Sequence, residues 1–270
     1  MLTPTLRSIT RLLVALYTIL GIILFLAPGW AAANFAWRIS PFVAMTIGGW
    51  CLGNAFIAWK ISKVWRWSAV YTTLVYLWTF GILEILILVI FKDKLLLNTP
   101  LAWAYTITLV TNVIYAIWGI YTWYHEKPSI KPEGLKVAKW VHISIIGVII
   151  FVGILVIGAL FSPPVNATTE GKFLPEKLSL FTLRAFGAFY LSLVMAGITL
   201  LRNRSFAPIE IFGQGGMALT VPITIAAFIY FRPEDLANSP GGVFYILAYV
   251  VIFFAAGSLL LYYRRQKSLK

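Results

Sequence analysis

Eight stretches of this chain run for about twenty residues with scarcely a charge, the length an α-helix needs to cross a hydrocarbon layer of about 30 Å. They lie at Ile9–Ala27, Pro41–Ile61, Trp67–Phe91, Leu101–Trp123, Trp140–Phe161, Leu178–Leu201, Ile209–Phe231 and Gly241–Tyr263. Each is apolar throughout rather than alternating, so a membrane barrel of strands is excluded and helices are predicted. Little remains for a soluble domain: 60% of the residues are hydrophobic and 11% charged, against roughly 25% charged in soluble proteins. The predicted fold is an all-α integral membrane protein with eight transmembrane helices.

The eight spans fall into two sets of four in matching order. Leu97-Asn98-Thr99-Pro100-Leu101 precedes the fourth and Ala237-Asn238-Ser239-Pro240-Gly241 the eighth. Leu20 to Pro28 aligns with Leu155 to Pro163, Gly48-Gly49-Trp50 with Gly187-Ala188-Phe189, Gly53 with Ser192, Phe91 with Tyr230 and Tyr105 with Tyr245. Two four-helix repeats are therefore predicted, at 1–127 and 140–270, joined by a linker at 128–139 that contains Pro128, Pro132 and Gly134. A unit with an even number of crossings returns to its starting side, so the repeats should be parallel and related by a pseudo-two-fold axis along the membrane normal. Thr99 and Ser239 suit helix N-caps, with the following proline in the first turn. Arg7 and Arg11, Leu12–Leu26 and Ala31-Ala32-Ala33 also fit a cleavable signal peptide. The internal match of Leu20–Pro28 favours a retained first span.

Positive charge gives the orientation. With the N-terminus inside, fifteen of the 22 Lys and Arg residues fall on the cytoplasmic side, at Arg7 and Arg11, Lys60 to Arg66, Lys127 to Lys139, Arg202 and Arg204, and Arg264 onward. The positive-inside rule then puts both termini in the cytoplasm of a plasma-membrane protein. The formal net charge of +13 is spread over short loops, which fits attraction to anionic lipid headgroups and not a nucleic-acid-binding patch. Asn166-Ala167-Thr168 matches a glycosylation sequon on the expected outer side.

Few polar residues interrupt the spans. Glu84 is the only acidic residue well inside one, about 10 Å from its outer end at 1.5 Å per residue. An intramembrane carboxyl is by default a functional-site hypothesis, against a purely structural hydrogen bond. Arg184 begins the sixth span at similar depth and aligns with Met45; pairing with Glu84 is one expectation and snorkelling to headgroups the other. In the seventh span Gln214 sits in Gly213-Gln214-Gly215-Gly216, with Pro222 further on, a pattern read as an interrupted helix or a close helix contact. Gln214 is the alternative partner for Glu84. Gly49 and Gly53, and the matching Ala188 and Ser192, are small-xxx-small pairs, so spans two and six are expected to make the closest helix contacts.

His125 and His142 flank the linker at the membrane edge, misplaced for a membrane haem, and the lone Cys51 brings no thiol partner. No metal site is expected, no cofactor can be named, and no nucleophile–base pair is present. All 11 tryptophans lie between Trp30 and Trp140, so the first repeat is the side expected to meet a protein partner. Trp50, Trp78 and Trp118 are the deep ones, expected in helix packing or against a hydrophobic ligand.

Trp37-Arg38-Ile39-Ser40-Pro41-Phe42 followed by Gly48-Gly49-Trp50, and Arg184-Ala185-Phe186-Gly187-Ala188-Phe189, resemble four-span units of uncharacterised bacterial multi-pass membrane proteins. The resemblance implies the fold and no activity; Met45 stands where that pattern has Arg. The leading expectation is a non-enzymatic accessory or scaffold subunit of a membrane complex, or a binder of a hydrophobic ligand or lipid. The alternative is a small-solute or proton-coupled transporter with a site near Glu84 and the seventh span.

Overall fold

The computed structural model describes residues 3–128, 130, 135–161, 176, 178–202, 205–232 and 240–268. Among them are nine α-helices: α1 Pro4–Leu26, α2 Pro28–Ala33, α3 Pro41–Val64, α4 Trp67–Ile90, α5 Pro100–Glu126, α6 Lys139–Phe161, α7 Leu180–Arg202, α8 Phe206–Tyr230 and α9 Pro240–Ser268. All but α2 are long and apolar enough to cross a membrane. The Asn166-Ala167-Thr168 sequon and the Ala237–Ser239 part of the second Asn-Ser-Pro motif lie outside the described residues.

Helix starts follow the sequence. The hydroxyls of Thr3, Ser40 and Thr99 accept from the amides of Leu6, Val43 and Ala102 at 3.3, 3.1 and 3.2 Å, each with proline next in the chain. A capping oxygen satisfies one orphan amide while proline, lacking N–H, leaves none behind. Thr3 therefore starts α1 five residues before the apolar run at Ile9. Pro28 begins an extra turn, α2, where the sequence suggested a cleavage region.

Antiparallel neighbours build the bundle. Gly21 meets Leu52 while Gly48 meets Leu24 and Phe25, so α1 and α3 run in opposite directions. The end that carries Leu26, Pro41, Ile90 and Pro100 is called upper here. The main helix pairs are α1/α3, α3/α8, α6/α7, α4/α7, α8/α9, α4/α5 and α1/α5. α3 is the most enclosed long helix and α6 and α9 the least. Their outward faces are greasy: Ile143, Ile150 and Ile157 on α6, like Ile107, Ile114 and Ile117 on α5, are more than half exposed. Such a surface suits hydrocarbon and not water.

The glycine pair of α3 packs closely on α8. A methyl at Gly53 would sit 2.3 Å from the Leu219 side chain and one at Gly49 3.2 Å from Ile223, both on α8. The α3/α7 contact is aromatic instead: Trp50 stacks on Phe189 at 4.5 Å and 9° and meets Phe186 edge-on at 4.6 Å. Two large rings hold those backbones apart, so the glycine groove takes the neighbouring helix. Ala188 and Ser192 are fully buried, and the Ser192 hydroxyl bonds back to the Ala188 carbonyl at 2.8 Å. α8 runs unbroken past Pro222, whose ring packs on Gly49.

Candidate functional site: a polar interior and an apolar cleft

The four helices of the first half enclose a column of polar side chains. On α5, Tyr105, Thr108, Asn112 and Tyr115 recur at intervals of three and four, so they share one helix face, and all four are buried. Tyr115 meets the Thr10 hydroxyl on α1 at 3.1 Å. One turn higher, the Asn112 amide donates to the Tyr17 hydroxyl at 2.7 Å. Gly81 on α4 makes room for it, since a methyl there would lie 2.7 Å from the Asn112 side chain. On the α3 side, the Tyr76 hydroxyl donates to Asn54 Oδ1 at 2.8 Å.

Glu84 stands near the top of this column and is 1% exposed. Among the described residues its one hydrogen-bond partner is the Tyr105 hydroxyl, 3.5 Å from Oε2, while Oε1 has none. Tyr17, Cys51 and Tyr76 lie within electrostatic range of the carboxyl. The expected partners do not supply this bond: an Arg184 guanidinium nitrogen donates to the Ala159 carbonyl of α6, and Gln214 is half-buried on α8. Among the described residues Asn112 Oδ1 and Trp50 Nε1 are likewise buried without a hydrogen-bond partner, while Asn54 Nδ2 and Thr46 Oγ1 make no close bond and have only longer contacts to the Tyr17 and Tyr245 hydroxyls. Groups like these normally find protein or ordered water, so the column is a polar centre among the described residues.

Aromatic rings close the column above. Phe35 and Trp37, in the loop between α2 and α3, lie 4.8 and 5.5 Å from the Tyr105 ring. Trp37 stacks on Phe181 of α7 at 4.3 Å and donates from its indole nitrogen to Thr182 at 3.0 Å. Glu176 accepts a hydrogen bond from Ser40 beside this lid. Burial raises the Glu176 carboxyl above the ordinary glutamate range, and the Ser40 bond partly offsets this.

The second half is built differently. A small apolar cleft, open to the outside, lies between α6, α7 and α9, with Val152 and Leu155, Leu193, and Ala248 and Ile252 on its walls. Below it, α6 and α9 are drawn together where Tyr263 accepts from the Ala138 amide at 2.9 Å and stacks on Phe206 at 4.0 Å. At the level of the cleft, the floor is tyrosine: the hydroxyls of Tyr190 and Tyr249 are 3.2 Å apart, and buried Tyr245 adjoins them.

Sequence reasoning found Glu84 but missed the column around it. Asn54, Asn112, Tyr17 and Tyr105 were hidden because each is a single polar residue in an apolar run; the one-face spacing from Tyr105 to Tyr115 was the available signal. Among the deep tryptophans, Trp50 and Trp78 are buried in packing and Trp118 is 40% exposed on the outward side of α5. His125 packs against the Tyr121 ring at 4.4 Å. Among the described residues, no three His, Cys, Asp or Glu side chains gather where a metal could bind.

Comparison with known proteins finds no matching family model, no matching curated protein and no matching solved structure.

Proposed function

We propose that this chain is a non-enzymatic, eight-span plasma-membrane protein that holds one hydrocarbon chain of a lipid, or of a lipid-like molecule, between α6 and α9. The observation that carries this reading is the cleft, which is apolar-walled and flanked by the two least enclosed long helices. In a bilayer those helices face acyl chains, and a side cleft of that kind admits a chain without exposing it to water.

The two-repeat architecture belongs to the same proposal. Gly48 packs on Leu24 and Phe25, and Gly187 packs on Ala159 and Leu160, which are the positions that align with them. The pairs α1/α3 and α3/α8 recur as α6/α7 and α4/α7 when the halves are exchanged. The basic lower loops favour both termini in the cytoplasm, with anionic headgroups beside them. In that orientation the cleft opens into the outer leaflet. Exposed Trp103 and Trp118 on α5 offer the first repeat's side to a protein partner, which fits an accessory subunit.

The test is photocrosslinking in nanodiscs that contain a phospholipid with a diazirine on its acyl chain. Adducts concentrated on Leu155, Leu193, Ala248 and Ile252, and removed by Ala248→Trp, are expected. Adducts spread evenly over the outward faces of α5, α6 and α9 would overturn the reading.

A further inference from the structure

We propose that Glu84 is an exchangeable proton-binding carboxyl, served by water held in the polar column of the first half.

Charge is the first ground. Glu84 is enclosed by α1, α3, α4 and α5, and among the described residues no lysine or arginine bonds to its carboxyl. An isolated carboxylate in such a place is costly. The titratable groups around it are Tyr105 from α5, Tyr17 from α1, Cys51 from α3 and Tyr76 from α4 itself, none of which is a cation. A proton is the smallest counter-charge that neutralises the site without further ligands.

The second ground is the mixed character of the unsatisfied atoms. Asn54 Nδ2, with only a longer contact to the Tyr17 hydroxyl, is a donor; Asn112 Oδ1 and Glu84 Oε1 are acceptors. A metal cation would serve only the acceptors. Water serves both, and buried polar sites with two to four partners are where proteins keep it. Tyr17 links two members of the set, since its hydroxyl bonds Asn112 and lies beside Asn54. The resulting line runs from Asn112 and Asn54 through Tyr17 towards Glu84.

The third ground is enclosure. Above Tyr105 the Phe35 and Trp37 rings are packed against the column and are themselves 2% exposed. At its lower end Thr10 and Tyr115 are fully buried, so water that serves Glu84 is held within the column. The lipid proposal concerns the other half of the molecule, and either can fail without the other.

Infrared spectroscopy of the full chain in nanodiscs tests this. The carbonyl stretch of a protonated carboxyl should be present at neutral pH, absent in Glu84→Gln, and shifted down on transfer to D2O. Asn112→Leu should keep that band but slow its deuterium shift at least about tenfold, the factor given by about 1.4 kcal/mol of added barrier. If Asn112→Leu fails to fold, Asn54→Leu takes its place with the same expectation. No carboxyl band lost in Glu84→Gln would overturn the proposal, as would a band that appears only when sodium is withdrawn. So would deuterium exchange at the wild-type rate in the folded column variant.

Discussion

The side-chain amide of Asn112 donates to the Tyr17 hydroxyl at 2.7 Å and clasps α5 to α1. Under the proposed two-repeat alignment the positions that match Tyr17 and Asn112 are Val152 and Ile252, and both line the open cleft. One substitution pattern thus accounts for two interiors. Where a hydrogen bond draws the outer helices together the bundle is closed and polar; where two aliphatic side chains replace it a gap remains.

The two sides of the clasp should be energetically coupled. Asn112→Leu leaves the buried Tyr17 hydroxyl only its longer contact to Asn54, a penalty of about 1–3 kcal/mol. Tyr17→Phe with Asn112→Leu should lose less than the two single changes summed. Thermal unfolding in one detergent measures all three variants, and strict additivity would contradict the clasp.

Glycine position matters more than glycine content. Gly53→Ala would force a methyl into Leu219, and overpacking of this kind costs about 1–3 kcal/mol. Gly153→Ala on α6, with nothing within 4 Å, should be neutral or slightly stabilising, because alanine is the better helix former. Equal melting temperatures for the two variants would mean that α3 and α8 are not in close contact.

Glu176 should make stability depend on pH. Its carboxyl is raised by burial, so as pH climbs the unfolded chain ionises first and the folded state loses ground. The contribution is complete below the ordinary glutamate pKa and fades as pH rises through the raised value. Glu176→Gln should flatten that slope and melt higher at neutral pH. An unchanged slope, measured by melting temperature between mildly acidic and neutral buffers, would contradict this.

The central aromatic pair should behave as a unit. Trp50 and Phe189 occupy aligned positions and stack with their centroids 4.5 Å apart. A double-mutant cycle with Trp50→Leu and Phe189→Leu should give a coupling of about 0.5–1.5 kcal/mol. No coupling would separate the two rings energetically.

Orientation is open to labelling. A cysteine at Lys131 should be shielded from impermeant reagent in intact cells and one at Thr168 should react, as the basic lower loops require. The reverse pattern would invert the topology.

Helix number and extent were legible because length and hydropathy act locally: every long helix contains most of the apolar stretch read for it. The Thr99–Pro100 start was legible for the same reason. Which helix fills a glycine groove was not, because Gly53 carries no mark of Leu219; the partner depends on Trp50 and Phe189 holding α7 away. Glu84 was conspicuous as a lone charge. Its setting was not, since Tyr105 and the amides of Asn54 and Asn112 come from two other helices and meet only after packing. The cleft was invisible for a related reason: Val152 and Ile252 are unremarkable in sequence and informative only beside Tyr17 and Asn112.

Native mass spectrometry of the protein released from mild detergent tests the central claim most directly. The wild-type chain should retain one lipid after washing that strips the rest, and Val152→Tyr with Ile252→Asn, which installs the first half's clasp, should lose it while remaining folded. Retention of that lipid by the clasped variant, or none by the wild type, would contradict the account.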